Sequence, residues 1–223
     1  MRGVLKLTIG LAVLAGLLVG ADRMAVGVAE GEAADKLVSS GRLGARPHVS
    51  IEGFPFLTQA AAGSFDQVRL SGDGVTVSDG RQQVALRSFD ARLTGVSLGD
   101  GYRSATVRSA SGSGLVPYPD VSRLIQGAQP LDLSYGGPGL VKASLAGVPV
   151  GQGRLHSSGN TITADGFQLP GVAALLDGAA NAALGPRSLT LTNLPAGLSL
   201  ATAEPRPDGL LLTFQGHDLR VLG

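Results

Sequence analysis

The chain has 223 residues, of which 43% are hydrophobic and only 16% charged, with a formal net charge of +1. The 18 Lys and Arg residues are balanced by 17 Asp and Glu residues and form no basic cluster, which excludes nucleic-acid binding and membrane adhesion by charge alone. Cysteine is absent, which excludes disulfides, thiolate catalysis, cysteine metal ligands and the acylated cysteine of a lipoprotein.

The N-terminus has the plan of an export signal. Two basic residues precede the uncharged run Leu7–Ala21, which Asp22 ends. A helix of this length spans roughly 22 Å, less than the ~30 Å hydrocarbon core of a bilayer, and small residues at its end favour cleavage before Asp22. We expect residues 1–21 to be a signal peptide, with an uncleaved membrane anchor as the alternative, and residues 22–223 to form one domain.

The rest of the chain predicts one substantial helix followed by many strands. Asp22–Ser40 has apolar residues at helical spacing and is followed by a glycine, which predicts an amphipathic helix. From Val49 onward, apolar residues alternate with polar ones, which predicts strands with one buried face. Shorter helices are predicted at Asp120–Gln126 and Gly171–Leu184. Turns are predicted at Gly72–Gly74, Asp79–Gly80, Asp100–Gly101, Gly136–Gly139, Gly151–Gly153, Ser158–Asn160 and Asp208–Gly209.

These elements predict an α+β fold. One-faced antiparallel strands need a cover for their apolar side, and only one long helix is available. We expect a highly curved antiparallel sheet that cradles the N-terminal helix and leaves an apolar groove.

The chemical motifs are weak. Gly95–Gly99 matches G-x-S-x-G, the nucleophile elbow of serine hydrolases, but the pattern of the following residues predicts another strand where the elbow needs a helix. The three histidines, His48, His156 and His217, are isolated, and His217 lies with Asp218 in a predicted turn. We expect no metal site, no cofactor and no catalytic residue.

Pro47–Gln59, with the sequence PHVSIEGFPFLTQ, is the most distinctive segment. Its two phenylalanines and a leucine flank Pro55, and they form either ordinary core at one end of the sheet or a hydrophobic lip at the groove. The residues expected to line or edge the groove are Phe54, Phe56, Leu57, Phe89, Leu124, Phe167, Leu175 and Leu176. The arginines considered for the headgroup at its rim are Arg69, Arg87, Arg103 and Arg123.

This segment and the strand FDQVRLSGDGVTV after it resemble the signature of the LmeA family of actinobacterial phospholipid-binding proteins. Gly166–Pro170 and the closing stretch Leu194–Val221 follow in the same order. The resemblance implies half of a tubular lipid-binding (TULIP) module, in which acyl chains lie between a long helix and a curved sheet. It also implies phosphoinositide-type lipids and a part in the maturation of envelope glycolipids.

The leading hypothesis is therefore a non-catalytic phospholipid binder or carrier, exported to the periplasm-like space or the outer face of the cytoplasmic membrane. Its partners would be phospholipid and the membrane surface. An envelope scaffold that binds an apolar segment of another protein is the second hypothesis. A hydrolase that uses Ser97 is the third.

Overall fold

The computed structural model describes residues 2–40, 43–78, 83–99, 104–124, 131–145, 147–168, 187–191, 194 and 196–222. The chain begins with a single helix, α1 (Arg2–Ser39), which contains most of the predicted helix and continues through the apolar run before it. Leu14–Ala21 are all exposed, whereas Asp22, Val26 and Ala34 are buried at helical spacing. The second half of α1 therefore packs on the protein body, and the segment before it projects from that body.

The described strands form two antiparallel sheets. The first has the order β1-β2-β3-β4-β11-β10, with bounds β1 (His48–Glu52), β2 (Ser64–Ser78), β3 (Gln83–Gly99), β4 (Ser104–Val116), β10 (Leu198–Arg206) and β11 (Gly209–Leu222). The second has the order β5-β6-β7-β8-β9, with bounds β5 (Asp132–Gly137), β6 (Leu140–Leu145), β7 (Val148–Ser158), β8 (Thr161–Gln168) and β9 (Arg187–Thr190). Two short helices follow β1 and β4: α2 (Phe56–Ala62) and α3 (Tyr118–Leu124).

This architecture confirms the α+β prediction, with the N-terminal helix packed on antiparallel sheets. Helix α1 contacts β1 and α2, and strand β10 contacts β5 and β7 of the second sheet. The sequence predicted one curved sheet. Among the described residues, however, strands β5–β9 form a separate sheet, because each of them pairs with the strand next to it in sequence. The last two strands return to pair beside β4.

The strand pairing of the first sheet is interrupted along one line. Four positions on neighbouring strands are skipped in residue pairing that is otherwise continuous. They are Asp66, Gly95, Arg108 and Asp218. Gly95 has a φ of 64° and Asp218 a φ of 51°, which are left-handed conformations that interrupt the pleat. Because the four positions are aligned across the strands, the interruptions of the pairing form one line through the sheet.

Three predicted turns are wrong. Gly72–Gly74, Gly151–Gly153 and the His217–Asp218 pair all lie inside strands, namely β2, β7 and β11. The reason is that a positive φ can bend a strand as well as end one: Gly74, at a φ of 61°, is passed over in the β2–β3 register and the strand continues.

Other predictions for the chain connections are confirmed. Gly136–Gly139, Ser158–Asn160 and Asp208–Gly209 connect paired antiparallel strands. Helix α3 confirms the predicted helix at Asp120–Gln126 and starts two residues earlier. The turns at Asp79–Gly80 and Asp100–Gly101 and the helix at Gly171–Leu184 lie outside the described residues.

The buried apolar residues form two clusters. The intersheet core lies between the two sheets and α3, and it consists of Val116, Tyr118, Val121, Leu133, Val141, Ala143, Leu155, Ile162, Ala164, Leu200, Ala203, Leu210 and Leu212. The helix-end core lies where α1 and α2 cover the first sheet, and it consists of Val26, Phe56, Phe65, Val96, Val107, Ala110 and Leu219.

Candidate functional site: an apolar cavity between two cores

A cavity of about 730 Å³ lies between the two cores and shares wall residues with both. Val107, Ala110 and Leu219 belong to the cavity wall and to the helix-end core. Five residues of the intersheet core also line it: Val116, Val121, Ile162, Leu210 and Leu212. The remaining described wall residues are Val84, Leu86, Phe89, Asp90, Ala91, Leu93, Ser111, Gly112, Ser113, Gly114, Leu124, Leu189, Thr190, Leu191, Leu194, Leu198 and Phe214.

The wall is suited to hydrocarbon and to little else. Its polar members are Asp90, Ser111, Ser113 and Thr190, and none of the described wall residues is basic. Asp90 and Ser111 are exposed, and the residues on either side of them along their strands also belong to the wall. Such a surface provides apolar contact without a basic group to fix an anion, which is how acyl chains are bound.

Small residues on β4 leave the space open. Between Val107 and Val116, the inward positions of this strand hold Ala110, Gly112 and Gly114. A Cβ added at Gly112 would lie 2.9 Å from the backbone oxygen of Asp90, so close strand contact requires glycine there. A Cβ at Gly114 would meet Leu86 at an ordinary 3.5 Å, so sterics do not require glycine at that position. Its absent side chain adds to the hollow.

The opening of the cavity is indicated at β9. This strand is an edge of the second sheet, and Thr190 is both exposed and part of the cavity wall. Asp90 on β3 is also exposed and part of the wall. A lipid headgroup would find polar groups and water on this side.

The structure places the residues predicted for the groove in different parts of the molecule. Phe89 and Leu124 line the cavity, and Phe167 packs against the intersheet core. Phe56 is buried in the helix-end core, and Phe54 and Leu57 are exposed beside it. Leu175 and Leu176 lie outside the described residues. Lipid contact by any of these side chains stays a prediction.

Three of the rim arginines considered from the sequence have acidic neighbours. Arg69 lies 2.9 Å from Glu52, Arg87 lies 3.7 Å from Asp208, and Arg123 pairs with Asp120. None of the three belongs to the described cavity wall. Arg103 lies outside the described residues.

Asp22 fastens α1 to α2 at the helix end. Its carboxylate accepts a hydrogen bond from the backbone N–H of Leu57 at 2.8 Å and pairs with Arg23 at 2.7 Å. Burial raises the pKa of Asp22, but the hydrogen bonds from Leu57, the Arg23 side chain and the backbone of Phe56 outweigh burial, so the net pKa is lowered from 3.8. The ionised carboxylate is therefore the form that holds the two helices together.

The G-x-S-x-G segment does not form a nucleophile elbow. Ser97 is an exposed residue inside β3, where it pairs with Ser64 on one side and Thr106 on the other. The elbow needs a sharp turn from a strand into a helix, and β3 instead continues to Gly99. The positive φ of Gly95 belongs to the line along which strand pairing in the first sheet is interrupted.

The described residues do not bring the histidines together with other metal ligands. His48, His156 and His217 are exposed on three different strands. His156 lies 3.9 Å from Asp165, and within the described parts of the chain no group of three or more His, Cys, Asp or Glu residues could hold a metal ion.

Sequence analysis missed the residues that make the cavity. Ser109–Gly114 reads SASGSG, and sequence analysis did not single it out. The signal was a run of small residues between Val107 and Val116 in which Ala110, Gly112 and Gly114 alternate with serines. On a strand, such a run predicts a hollow beside the sheet.

Comparison with known proteins agrees with the cavity. A model of the LmeA-like phospholipid-binding family matches residues 20–215. Searches of curated proteins and of solved structures each find no significant match. The family match covers most of the chain and, except for Leu219, every residue of both cores and every described wall residue of the cavity. The chain therefore belongs to the LmeA-like phospholipid-binding family.

Proposed function

We propose that this protein is an exported phospholipid carrier that holds an acyl chain in the cavity between its two cores, on the outer side of the cytoplasmic membrane. The apolar cavity of about 730 Å³ is the observation that supports this proposal best. Export is supported by the uncharged run Leu7–Ala21 and the basic residues before it.

The volume indicates how much lipid the cavity accepts. A methylene group fills about as much space as a liquid water molecule, ~30 Å³, so the cavity has room for roughly 24 of them. That is enough for one chain of about sixteen carbons. At ~0.8 kcal/mol per buried methylene, one chain provides on the order of 10 kcal/mol before the costs of ordering the lipid.

The headgroup lies outside the apolar wall in this proposal. Because none of the described wall residues is basic, a phosphate would remain at the opening near Thr190. Selectivity for an inositol headgroup is a further part of the proposal. It is tested by competition between phosphatidylinositol and phosphatidylglycerol for the same protein.

The experiment compares a variant that fills the cavity with one that adds the same side chain elsewhere on β4. Gly114→Leu places a leucine in the hollow, where Gly114 faces Leu86. Thr106→Leu places one at an exposed position outside the wall. Each full-length protein is incubated with liposomes, reisolated and extracted, and its phospholipid is measured by mass spectrometry. We expect wild type and Thr106→Leu to retain lipid and Gly114→Leu to retain at least tenfold less.

Equal lipid in Gly114→Leu and wild type, with circular dichroism showing both folded, would contradict acyl-chain binding in this cavity. Wild-type protein that is free of lipid and copurifies with a stoichiometric polypeptide would favour the scaffold hypothesis instead.

A further inference from the structure

The part of α1 before Asp22 presents apolar surface on every side. Leu14–Ala21 contains only Leu, Ala, Gly and Val, and all eight residues are exposed. Successive helical residues are separated by about 100°, so eight of them cover the full circumference of the helix. Among the described helices, none has the length and apolar character needed to cross a membrane. A helix segment that is apolar all round is nevertheless stable only in apolar surroundings.

Three contacts hold the segment Gly53–Leu57 against the base of this projecting helix. Asp22 accepts the hydrogen bond from the backbone N–H of Leu57 at 2.8 Å, and the Arg23 guanidinium donates to the carbonyl of Gly53 at 3.4 Å. The same guanidinium lies over the ring of Phe54, 5.3 Å from its centroid. The position of Phe54 and Leu57 relative to α1 is therefore fixed.

Phe54 and Leu57 extend the apolar surface onto the protein body. Phe54 is 61% exposed and Leu57 is 46% exposed, although Phe56 between them is buried. Aromatic rings and arginine side chains are both favourable at the headgroup level of a bilayer, where the apolar part is buried and the charge meets phosphate. The Arg23–Phe54 pair has this composition.

We propose that in the uncleaved chain, in which residues 1–21 are kept as a membrane anchor, Leu14–Ala21, Phe54 and Leu57 form one docking surface for a lipid bilayer, with Phe54 and Leu57 at the level of the headgroups. A protein partner would bind one side of the helix and leave the others in water, whereas a bilayer surrounds an inserted helix on all sides. Lipid is therefore the occupant that fits this surface.

This surface lies at the helix end of the cavity. The helix-end core packs beneath α1 and α2 and shares Val107, Ala110 and Leu219 with the cavity wall. Docking here would bring this end of the cavity close to the bilayer that supplies its lipid. In this respect the inference rests on the proposed function, because it takes the bilayer to be where the bound phospholipid comes from.

The chain contains no tryptophan, so a single introduced tryptophan reports on its own surroundings. Phe54→Trp places the probe on the docking surface. Val148→Trp is the matched control, because Val148 is 63% exposed and lies at the start of β7 in the other sheet. The full chain is mixed with vesicles of phosphatidylcholine and phosphatidylglycerol, with and without brominated acyl chains.

We expect Phe54→Trp emission to shift to the blue and to be quenched by the brominated lipid at least threefold more than Val148→Trp emission. The double substitution of Phe54→Ser and Leu57→Ser should lower vesicle affinity about tenfold, and Val148→Ser should leave it unchanged. Sedimentation with vesicles measures the affinity.

Three results would overturn the proposal: protein that does not sediment with vesicles, vesicle-bound protein whose Phe54→Trp emission does not change, or equal quenching of the two probes. These outcomes are separate from those of the proposed function. Protein that docks but yields no extracted phospholipid refutes the carrier and leaves the docking surface in place. Protein that carries phospholipid but whose Phe54→Trp side chain stays in water refutes the docking surface and leaves the carrier in place.

Discussion

The two ends of the apolar interior are built differently. In the helix-end core, the rings of Phe56 and Phe65 stack with centroids 6.1 Å apart beneath two helices. Between the sheets, β4 contributes Ala110, Gly112 and Gly114, and about 730 Å³ remains open. The chain has only six phenylalanines, and it places two of them where the interior is solid. Two stacked rings fill the helix-end core, whereas the small residues of β4 leave space beside it, although Phe89 and Phe214 also belong to the cavity wall.

The largest effect should come from removing a ring from the solid part. Phe56→Ala should lower the free energy of unfolding by about 3–5 kcal/mol, because Phe56 is buried and stacked on Phe65. Leu86→Ala, on the cavity wall, should cost about 1 kcal/mol, since Leu86 already faces open space on one side. Urea unfolding of lipid-free protein measures both. Equal losses would mean that the cavity wall is packed as tightly as the helix-end core.

An intermediate effect is expected from the link between α1 and α2. Asp22→Asn should lower the melting temperature at neutral pH, because the ionised carboxylate binds Leu57 and Arg23. The pKa of folded Asp22 lies below 3.8, so its contribution is present above pH 3.8 and is lost as the pH falls through the folded value. The difference between variant and wild type should therefore shrink in acid.

The control for Asp22 lies on the same helix. Asp35 pairs with Arg46 at 2.8 Å, and both side chains are largely exposed. Asp35→Asn should leave the melting temperature nearly unchanged at every pH, because exposed ion pairs contribute little. A loss as large as that of Asp22→Asn would show that the charge of α1, and not the contact with α2, is responsible.

The smallest effect is expected beside the hollow, at Tyr118. Its hydroxyl donates a hydrogen bond to the carbonyl of Arg206 at 2.9 Å, so Tyr118→Phe should cost about 1 kcal/mol in urea unfolding at neutral pH. Burial, together with the nearby Tyr135, raises the pKa of Tyr118 to about 12.

The stability difference between wild type and Tyr118→Phe should also depend on pH above neutrality. Because the folded pKa of Tyr118 exceeds the ordinary 10.0, its contribution is complete below pH 10 and is lost as the pH rises toward 12. The difference between wild type and Tyr118→Phe should therefore shrink in alkali, whereas that for Asp22→Asn shrinks in acid. A pH-independent difference for Tyr118→Phe would contradict the raised pKa.

Much of the fold could be predicted because its signals are local. The helical spacing after Asp22 and the alternation from Val49 onward depend only on neighbouring residues. The turn predictions failed at Gly72–Gly74 and Gly151–Gly153, where glycines lie within strands. A glycine predicts conformational freedom, but the pairing of the neighbouring strand decides whether the chain bends or reverses.

The candidate site was less predictable. Phe89 and Leu124 were expected at the groove and do line the cavity, yet the wall also needs residues from β8, β10 and β11 that are far apart in sequence. The segment around Pro55 was expected to be either core or lip, and the structure divides it, with Phe56 inside and Phe54 outside. Which side of a bend faces the core depends on what packs over it, here α1.

The sequence by itself determined an α+β chain with a leading apolar helix, one-faced strands, no cysteine and membership of a phospholipid-binding family, because composition, periodicity and motif are properties of the chain alone. Only the tertiary structure decided that the strands divide into two sheets, that the interior is solid at one end and hollow beside it, and that Phe54 lies against Arg23. Those features depend on contacts between residues distant in sequence, since a cavity is the space that several separate segments leave between them.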